Sequence, residues 1–408
     1  MKNGWVVGRF VLFVLVLVVA VAFPRGASAA SISTHSVNRL TKSKAAAAAE
    51  SPRSQRRLSH LRHSGRLTRA SVRIPARRRR YYGERFWTSS FAGNQTAGDV
   101  VAGEDPVVRQ AAIDALGNMN GTVVAIDPES GRILAMVNQK LALSAGATPC
   151  STIKVPVALA ALSENLITKD TRVPLAKGWG MTLTEALAHS NNAYFEALGR
   201  QLGFEKYSYY ARQFGLGELA GWNIAGEQPG VFPTEPLDEK LGGVGKMCSF
   251  GESISMTPLE LGAILAAIAN GGTLYYLQHP ETLEQVAGFQ PKVKRHLDIA
   301  PLVPQISAGL AGAVQYGTAR SLRWSFSGEQ ILGKTGTCSN NAGTRYGWFA
   351  SFANTSVGRI VVVVFLEGGR PTFGPKAAEL AGHLYRDLYD HSYFMARPAL
   401  TPASAFVQ

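Results

Sequence analysis

Cysteine and charged residues are both scarce in this chain of 408 residues. Three cysteines are too few for a dense disulfide scaffold. Charged residues make up 17% of the sequence and hydrophobic residues 46%, an ordinary globular balance that excludes wholesale disorder. The zinc motif H-E-x-x-H and the hydrolase motif G-x-S-x-G are absent, and the eight histidines show no ligand spacing. We therefore expect neither a metal site nor a cofactor.

Acidic residues are nearly missing from the first 90 positions, which hold 18 Lys and Arg against two Asp and Glu. The remaining residues hold 24 basic against 26 acidic residues and are close to neutral. The net charge of +14 thus belongs to the N-terminal part of the chain and not to its globular part.

Residues 1–30 have the pattern of a secretory signal peptide. Lys2 and Arg9 precede the apolar run Phe10–Phe23, and Ala27-Ser28-Ala29 follows it as a cleavage site. A retained membrane anchor is the alternative, although the run is short for a span of about 20 residues. In both cases we expect an exported protein of the periplasm or cell envelope, anchored to the inner membrane if the segment is kept.

Residues 31–100 are predicted to form a basic disordered linker, because Ser, Ala and Arg dominate most of this stretch and apolar periodicity is absent. Such a linker is either a solvated tether or a segment attracted to anionic lipid or anionic wall polymer. Nucleic acid is not an expected partner, because the export signal argues against a cytoplasmic location.

A globular region is predicted over residues 105–392, with a tail over 393–408. Helices are predicted from Asp105 to Leu116, over much of 151–270 with a long helix from Pro258 to Asn270, and over Pro375–Tyr389. Strands are predicted at Gly121–Asp127, Arg132–Asn138, Gln330–Thr337, Gly347–Asn354 and Arg359–Leu366. Strands therefore lie at both ends of the region, and helices fill its middle. This order predicts an α/β (α+β) fold: one antiparallel sheet, built from both chain ends and covered by helices, with an all-helical subdomain inserted after its second strand.

Residues Gly328–Thr335 match the phosphate-loop pattern G-x-x-x-x-G-K-[ST]. A phosphate loop follows a buried strand and opens a helix. Here Ile331 and Leu332 lie inside the supposed loop, and Gly336 interrupts the supposed helix. We therefore reject a nucleotide-binding site at this position.

Ser151 and Lys154 form an S-x-x-K motif at the predicted start of an apolar helix. Residues three apart share a helix face, and free N–H groups at a helix start favour a developing anion. A serine needs a base to act as a nucleophile, and a buried lysine readily loses its proton. The alternative is an N-cap serine beside a solvated lysine.

Ser190 and Asn192 form an S-x-N motif inside an apolar helical pattern. Asparagines are unfavourable in mid-helix unless their side chains have another task. We expect the hydroxyl of Ser190 to face Lys154 and relay a proton to the leaving amine, and the amide of Asn192 to hold a substrate peptide group. A simple helix break or cap remains the alternative. His189 is interpreted as structural, because adjacent helical residues point in different directions.

Lys334, Thr335, Gly336 and Thr337 form a K-T-G-T run on a predicted strand. Thr335 and Thr337 would share a face, Lys334 would add positive potential for a substrate carboxylate, and Gly336 would let a ligand approach the backbone. The alternative is an edge strand that carries a protective lysine.

In this order the three motifs resemble those of the serine penicillin-recognising family, the penicillin-binding D,D-transpeptidases and serine β-lactamases. The stretches Gly121–Asn138, Gly251–Leu261 and Gly347–Ala350 are also similar to transpeptidase segments, so that the resemblance covers about 105–392. It implies a penicillin-binding transpeptidase or β-lactamase-like fold.

The resemblance also implies roles. Ser151 would be acylated, Lys154 would accept its proton and Ser190 would pass a proton on. Asn192 would hold the substrate amide, and Lys334, Thr335, Gly336 and Thr337 would bind the terminal carboxylate. Backbone N–H groups of Ser151 and Thr337 would form the oxyanion hole. In the implied fold Cys150 and Cys338 lie beside the active site, which suggests a disulfide between them.

The implied substrate is the D-Ala-D-Ala end of a peptidoglycan stem peptide, and β-lactam antibiotics would acylate the same serine. The main expectation is a D,D-transpeptidase. A serine β-lactamase or D,D-carboxypeptidase that uses water as the acceptor is one alternative, and a non-catalytic β-lactam sensor or wall-binding protein is another.

Overall fold

The structure, a computed structural model, describes residues 88–176, 178–355 and 358–393. The predicted signal peptide or anchor (1–30), residues 31–87 of the predicted linker and residues 394–408 of the predicted tail lie outside the described residues. Within the described ranges, no helix combines the length and the apolar character needed to cross a bilayer.

The order of secondary-structure elements follows the prediction closely at both ends of the domain. The strands are β1 (Gly121–Ile126), β2 (Ile133–Val137), β3 (Val173–Ala176), β4 (Trp179–Met181), β5 (Thr273–Tyr276), β6 (Lys292–His296), β7 (Ile331–Ser339), β8 (Arg345–Thr355) and β9 (Gly358–Gly368). The helices are α1 (Pro106–Leu116), α2 (Gln139–Ala142), α3 (Lys154–Ser163), α4 (Leu183–Ala188), α5 (Asn192–Gln213), α6 (Gly243–Phe250), α7 (Pro258–Ala269), α8 (Leu283–Ala287), α9 (Val303–Gln315) and α10 (Gly374–Asp390). Short 3-10 helices lie at Cys150–Ile153, Glu239–Leu241 and Arg320–Trp324.

Five strands form one antiparallel sheet in the order β2-β1-β9-β8-β7. The first two strands along the chain pair with the last three, so the sheet joins both ends of the domain. This arrangement confirms the predicted fold class.

Both faces of the sheet are covered, which explains why β9 is almost continuously apolar. Val361, Val363 and Phe365 face the core formed with the inserted helices. Val362 and Val364 alternate with them and face a second core, formed with α1 and α10. Because successive side chains of a strand point to opposite faces of the sheet, β9 contributes to both hydrophobic cores.

The insert between β2 and β7 is mainly helical, but it also contains the hairpins β3–β4 and β5–β6. The prediction that the inserted subdomain is all-helical is therefore wrong, because the insert contains two pairs of strands. The strands β3 and β4 have four and three residues. Segments of this length are too short to show a clear alternating pattern in the sequence.

Residues 88–100 pack against the domain, so the linker prediction is wrong for this stretch. Asp99 forms an ion pair with Arg109 of α1 and accepts hydrogen bonds from the backbone N–H groups of Asn138 and Gln139. Phe91 also makes a β-bridge with Met119. These contacts depend on partners far along the chain, which composition does not reveal.

Candidate active site

Three segments that are distant in sequence lie together at one edge of the five-stranded sheet. The first is the 3-10 turn Cys150–Ile153 with the start of α3, the second is the break between α4 and α5, and the third is β7 itself. Lys154 of the first segment contacts Asn192 of the second, and Lys334 of the third contacts Ser190 of the second. The S-x-x-K, S-x-N and K-T-G motifs therefore form one cluster.

Lys154 lies at the centre of this cluster and is completely buried. Its Nζ atom is 2.7 Å from Oγ of Ser151, 2.8 Å from Oδ1 of Asn192 and 2.5 Å from the backbone oxygen of Ser249. Ser151 lies in the 3-10 turn that directly precedes α3, about one turn before Lys154. Short 3-10 turns are common at the start of α-helices. Ser151 itself is half-buried.

These three contacts suit both the charged and the neutral form of the amine. The carbonyl oxygens of Asn192 and Ser249 can only accept hydrogen bonds, so each takes one N–H of Lys154. In the charged form Nζ also donates to Oγ of Ser151, whereas in the neutral form, with both N–H groups on the two carbonyl oxygens, the lone pair faces the Ser151 hydroxyl, which can donate. The site therefore holds Lys154 in the orientation that a general base for Ser151 requires.

The electrostatics of the site bring the titration of Lys154 close to physiological pH. Burial lowers the pKa of Lys154 to about 7, and the negative charge of Glu196 opposes part of this shift. The rings of Phe195 and Phe250, each with its centroid 5.7 Å from Nζ, contribute to this apolar environment.

The S-x-N segment is a break between two helices and not the middle of one helix. Ser190 adopts a left-handed backbone conformation with φ of 54°, and the side chain of Asn191 accepts a hydrogen bond from the N–H of Tyr194 as the N-cap of α5. The two asparagines thus differ: Asn191 caps a helix, and Asn192 faces Lys154.

The contact of Ser190 differs from the expectation that it faces Lys154. Its Oγ accepts a hydrogen bond of 2.8 Å from Nζ of Lys334, whereas no hydrogen bond between Ser190 and Lys154 occurs among the described residues. Lys334 is fully buried, and both desolvation and the positive charge of Lys154 lower its pKa well below the usual value.

The hydroxyls of the two β7 threonines contact two neighbouring segments of the chain. Thr335 is buried and its Oγ1 lies 2.6 Å from Oγ1 of Thr318, while Thr337 is exposed and accepts a hydrogen bond from the N–H of Gly374. Gly336 lies so close to the 3-10 turn that a β-carbon there would be 2.9 Å from the backbone oxygen of Pro149. Glycine is needed for this approach of strand and turn.

Cys150 and Cys338 form a disulfide in the structure, with a Cα–Cα distance of 5.6 Å. Cys150 directly precedes Ser151, and Cys338 directly follows Thr337. Cys248 is the free cysteine; it is buried, and its burial raises the pKa of the thiol.

Neither the backbone oxygen of Ser249 nor the hydroxyl of Thr318 was predicted from the sequence. A backbone carbonyl carries no signal in the residue types, and Thr318 lies in the loop after α9, outside the three motifs. The structure also explains why the G-x-x-x-x-G-K-[ST] match is not a phosphate loop. Gly333, Lys334 and Thr335 lie inside β7, so neither the loop nor the following helix of such a site is formed.

Comparisons with known proteins agree with this geometry. The family model for the penicillin-binding protein transpeptidase domain matches residues 121–389. Stage V sporulation protein D of Bacillus subtilis is 28% identical over 316 residues, which cover 65% of this chain and 48% of that protein. The chain thus spans about half of this relative.

Two further relatives are matched over more of their length. Peptidoglycan D,D-transpeptidase PbpA of Mycolicibacterium smegmatis is 26% identical over 380 residues, which cover 75% of each chain. The crystal structure of PBP2 from Pseudomonas aeruginosa has the same fold, with a TM-score of 0.60 at 23% identity, over 72% of this chain and 75% of that one.

The match covers most of the folded region and includes all three motifs of the cluster. The chain belongs to the family of penicillin-binding protein transpeptidase domains.

Proposed function

We propose that this protein is a serine D,D-transpeptidase that cross-links peptidoglycan stem peptides. The observation that carries the proposal is the 2.7 Å contact between Oγ of Ser151 and the buried amine of Lys154. Relatives named peptidoglycan D,D-transpeptidase support the substrate class.

In the acylation step, Oγ of Ser151 attacks the carbonyl carbon of the penultimate D-Ala. The hydroxyl proton moves to Nζ of Lys154, the peptide C–N bond breaks, and the terminal D-Ala leaves as an amine that takes up a proton. The product is an ester between Ser151 and the stem peptide. A β-lactam would react in the same way, except that the broken amide lies in the ring and the leaving nitrogen stays attached.

The backbone N–H groups of Ser151 and Thr337 would stabilise the negative oxygen of the tetrahedral intermediate. Donors of this kind contribute about 3–4 kcal/mol each. The closeness of Gly336 to the turn at Pro149 supports this role, because it brings the two peptide segments side by side.

Lys334, Thr335, Gly336 and Thr337 would bind the terminal carboxylate of the substrate, and Asn192 would donate its amide N–H to the substrate backbone. The lowered pKa of Lys334 fits this role, since an arriving carboxylate favours the charged form of the lysine and draws a proton to it. Ser190, which accepts a hydrogen bond from Lys334, would pass a proton to the leaving amine.

The N-terminal segments would deliver the domain to its substrate. We assign residues 1–30 to a signal peptide or anchor, 31–87 to a basic linker, 105–392 to the transpeptidase domain and 393–408 to a tail, which corresponds to a protein of the cell envelope. N-terminal sequencing of the mature protein checks the first assignment. Association of the linker with anionic lipid or wall polymer would be tested by the salt dependence of co-sedimentation.

The direct test is intact-protein mass spectrometry after incubation with a labelled penicillin. We expect one adduct on the wild-type protein and none on Ser151→Ala. Ser163→Ala, at the end of the same helix, is the matched control and is expected to be labelled normally. An adduct on Ser151→Ala would contradict the proposal.

A second assay identifies the acceptor that resolves the acyl-enzyme. A stem pentapeptide supplied with an amine acceptor is expected to give cross-linked product with release of D-Ala. Hydrolysed peptide alone would indicate a carboxypeptidase, rapid turnover of penicillin a β-lactamase, and a stable adduct without peptide turnover a sensor.

A further inference from the structure

The disulfide joins two residues that each neighbour a proposed oxyanion-hole donor. Cys150 is bonded through the backbone to Ser151, and Cys338 to Thr337. The bridge closes a separation of 188 residues and fastens the start of α3 to the end of β7. No other covalent link connects these two segments within the described residues.

Cys150 has a backbone conformation that needs support. Its φ is 52°, in the left-handed region that residues with a β-carbon rarely adopt. Such conformations persist where the surrounding structure holds them. The side chain of Cys150 is completely buried and tied to β7, so the bridge holds the peptide that carries the N–H of Ser151.

Cys338 is paired with Tyr346 of β8, but two of the non-covalent contacts between the strand and the turn act one or two residues further away. The indole Nε1 of Trp348 donates a hydrogen bond of 3.0 Å to the backbone oxygen of Thr148, and Gly336 packs against Pro149. These contacts bring the strand to the turn. Neither contact involves the residue directly before Ser151 or the residue directly after Thr337.

We propose that the Cys150–Cys338 disulfide is a positioning device that fixes the distance between the backbone N–H groups of Ser151 and Thr337. The proposal rests on the proposed function, because it assumes that both groups bind the developing oxyanion. It assigns the bridge to transition-state stabilisation and separates it from the base, Lys154, whose contacts other than Ser151 lie on Asn192 and Ser249.

The expected kinetic effect is specific. Removing one oxyanion-hole donor lowers rates by about 10²–10³-fold, so loosening the spacing between two retained donors is expected to lower the acylation rate constant by about 10-fold or more. The dissociation constant of the initial non-covalent penicillin complex is expected to stay within about 2-fold. The midpoint of the pH–rate profile should also stay in place, since Lys154 keeps its surroundings.

The experiment compares the full chain in three states: oxidised, reduced with a phosphine, and as the double variant Cys150→Ala/Cys338→Ala. The phosphine converts the disulfide to two thiols and becomes a phosphine oxide with the oxygen of water. Stopped-flow acylation by a fluorescent penicillin gives the binding and acylation constants separately. Inhibition by a peptidyl boronate, whose tetrahedral adduct places an oxygen in the oxyanion hole, gives an independent readout of the donor spacing.

The double variant is also the matched control for the reductant, because it should not respond to the phosphine. Reoxidation of the reduced wild type should restore its acylation rate, which shows that the reduced protein remained folded. Alkylation followed by peptide mapping reports which thiols are free. Cys248 should react only after denaturation, because it is buried and its thiol pKa is raised.

Slower acylation with weaker boronate binding, at unchanged penicillin affinity and pH midpoint, supports the proposal. Acylation at the wild-type rate in both the reduced protein and the double variant would overturn it. Parallel losses in penicillin affinity, pH midpoint and thermal stability would also overturn it, because they indicate a general structural role. Absence of any Ser151 adduct on the oxidised protein would instead refute the proposed function on which the inference rests.

Discussion

Nζ of Lys154 lies 2.7 Å from Oγ of Ser151, and the other two partners of this amine can accept hydrogen bonds but cannot donate them. In this arrangement the protonation state of Lys154 determines whether Ser151 can lose its proton and act as the nucleophile. Burial lowers the pKa of Lys154 to about 7. The neutral base therefore becomes the major form as the pH rises through this value.

The first prediction concerns the pH dependence of acylation. We expect the rate of penicillin acylation to rise with pH from 5 and to level off above about 7. Lys154→Met should lower the rate by about 10²–10⁴-fold, the range found for general-base groups. Stopped-flow measurements between pH 5 and 9 provide the profile, with the exposed Lys240→Met as the control. A flat profile for the wild type would rule out titration of Lys154 as the cause.

The second prediction separates two adjacent asparagines. Asn191→Ala removes the N-cap of α5 and should lower the free energy of unfolding by about 1 kcal/mol, with little change in the acylation rate. Asn192→Ala removes an acceptor of Lys154 and should lower the acylation rate by 10-fold or more. Urea unfolding and penicillin acylation measured on both variants test the contrast. The reverse pattern would show that the roles are exchanged.

The third prediction concerns the segment before α1. Arg109 pairs with Asp99 and Glu104, whose side chains are only 3% and 1% exposed. Arg109→Met removes the guanidinium from two buried carboxylates, of which Glu104 keeps its contact with His279, and should lower the free energy of unfolding by about 3–5 kcal/mol. Urea denaturation is the measurement. Lys169→Met, which removes an exposed ion pair with Asp170, is the control and should cost less than about 1 kcal/mol. Equal effects would show that the segment 88–100 contributes little to stability.

The fourth prediction concerns the buried carboxyl of Glu260 in the capping box of α7. Burial raises its pKa to about 7, although backbone N–H groups of Thr257, Gly217 and Gly230 oppose the shift. Between pH 4.5 and 7 the folded protein therefore holds a proton that the unfolded chain releases. This group makes stability fall as the pH rises across that window.

The variant Glu260→Gln cannot titrate, so its free energy of unfolding should depend less on pH across the same window. Urea unfolding at pH 4.5, 6 and 7.5 measures the slope, and the exposed Glu252→Gln should keep the wild-type slope. Identical slopes for Glu260→Gln and the wild type would show that Glu260 does not keep its proton in this range.

The sequence predicted the main sheet well because its strands are long or strongly apolar. The runs of β1, β2 and β9 are buried on both faces and stand out as continuous hydrophobic segments. The hairpins β3–β4 and β5–β6 were missed, since their short strands are partly exposed and lack a distinct pattern. The packing of residues 88–100 was missed because their partners lie elsewhere in the chain, Arg109 in α1 and Met119 in the loop before β1.

The sequence by itself determined which residue types are available and in which order. It placed Ser151 and Lys154 within one helical turn of each other, because residues three apart in a helix are neighbours whatever the rest of the fold. Only the tertiary structure decided that Lys154 loses contact with water, that Ser190 meets Lys334 and that Cys150 reaches Cys338. Desolvation and contacts across 144 or 188 residues depend on how the helices and the sheet pack together, and local sequence patterns carry no information on that packing.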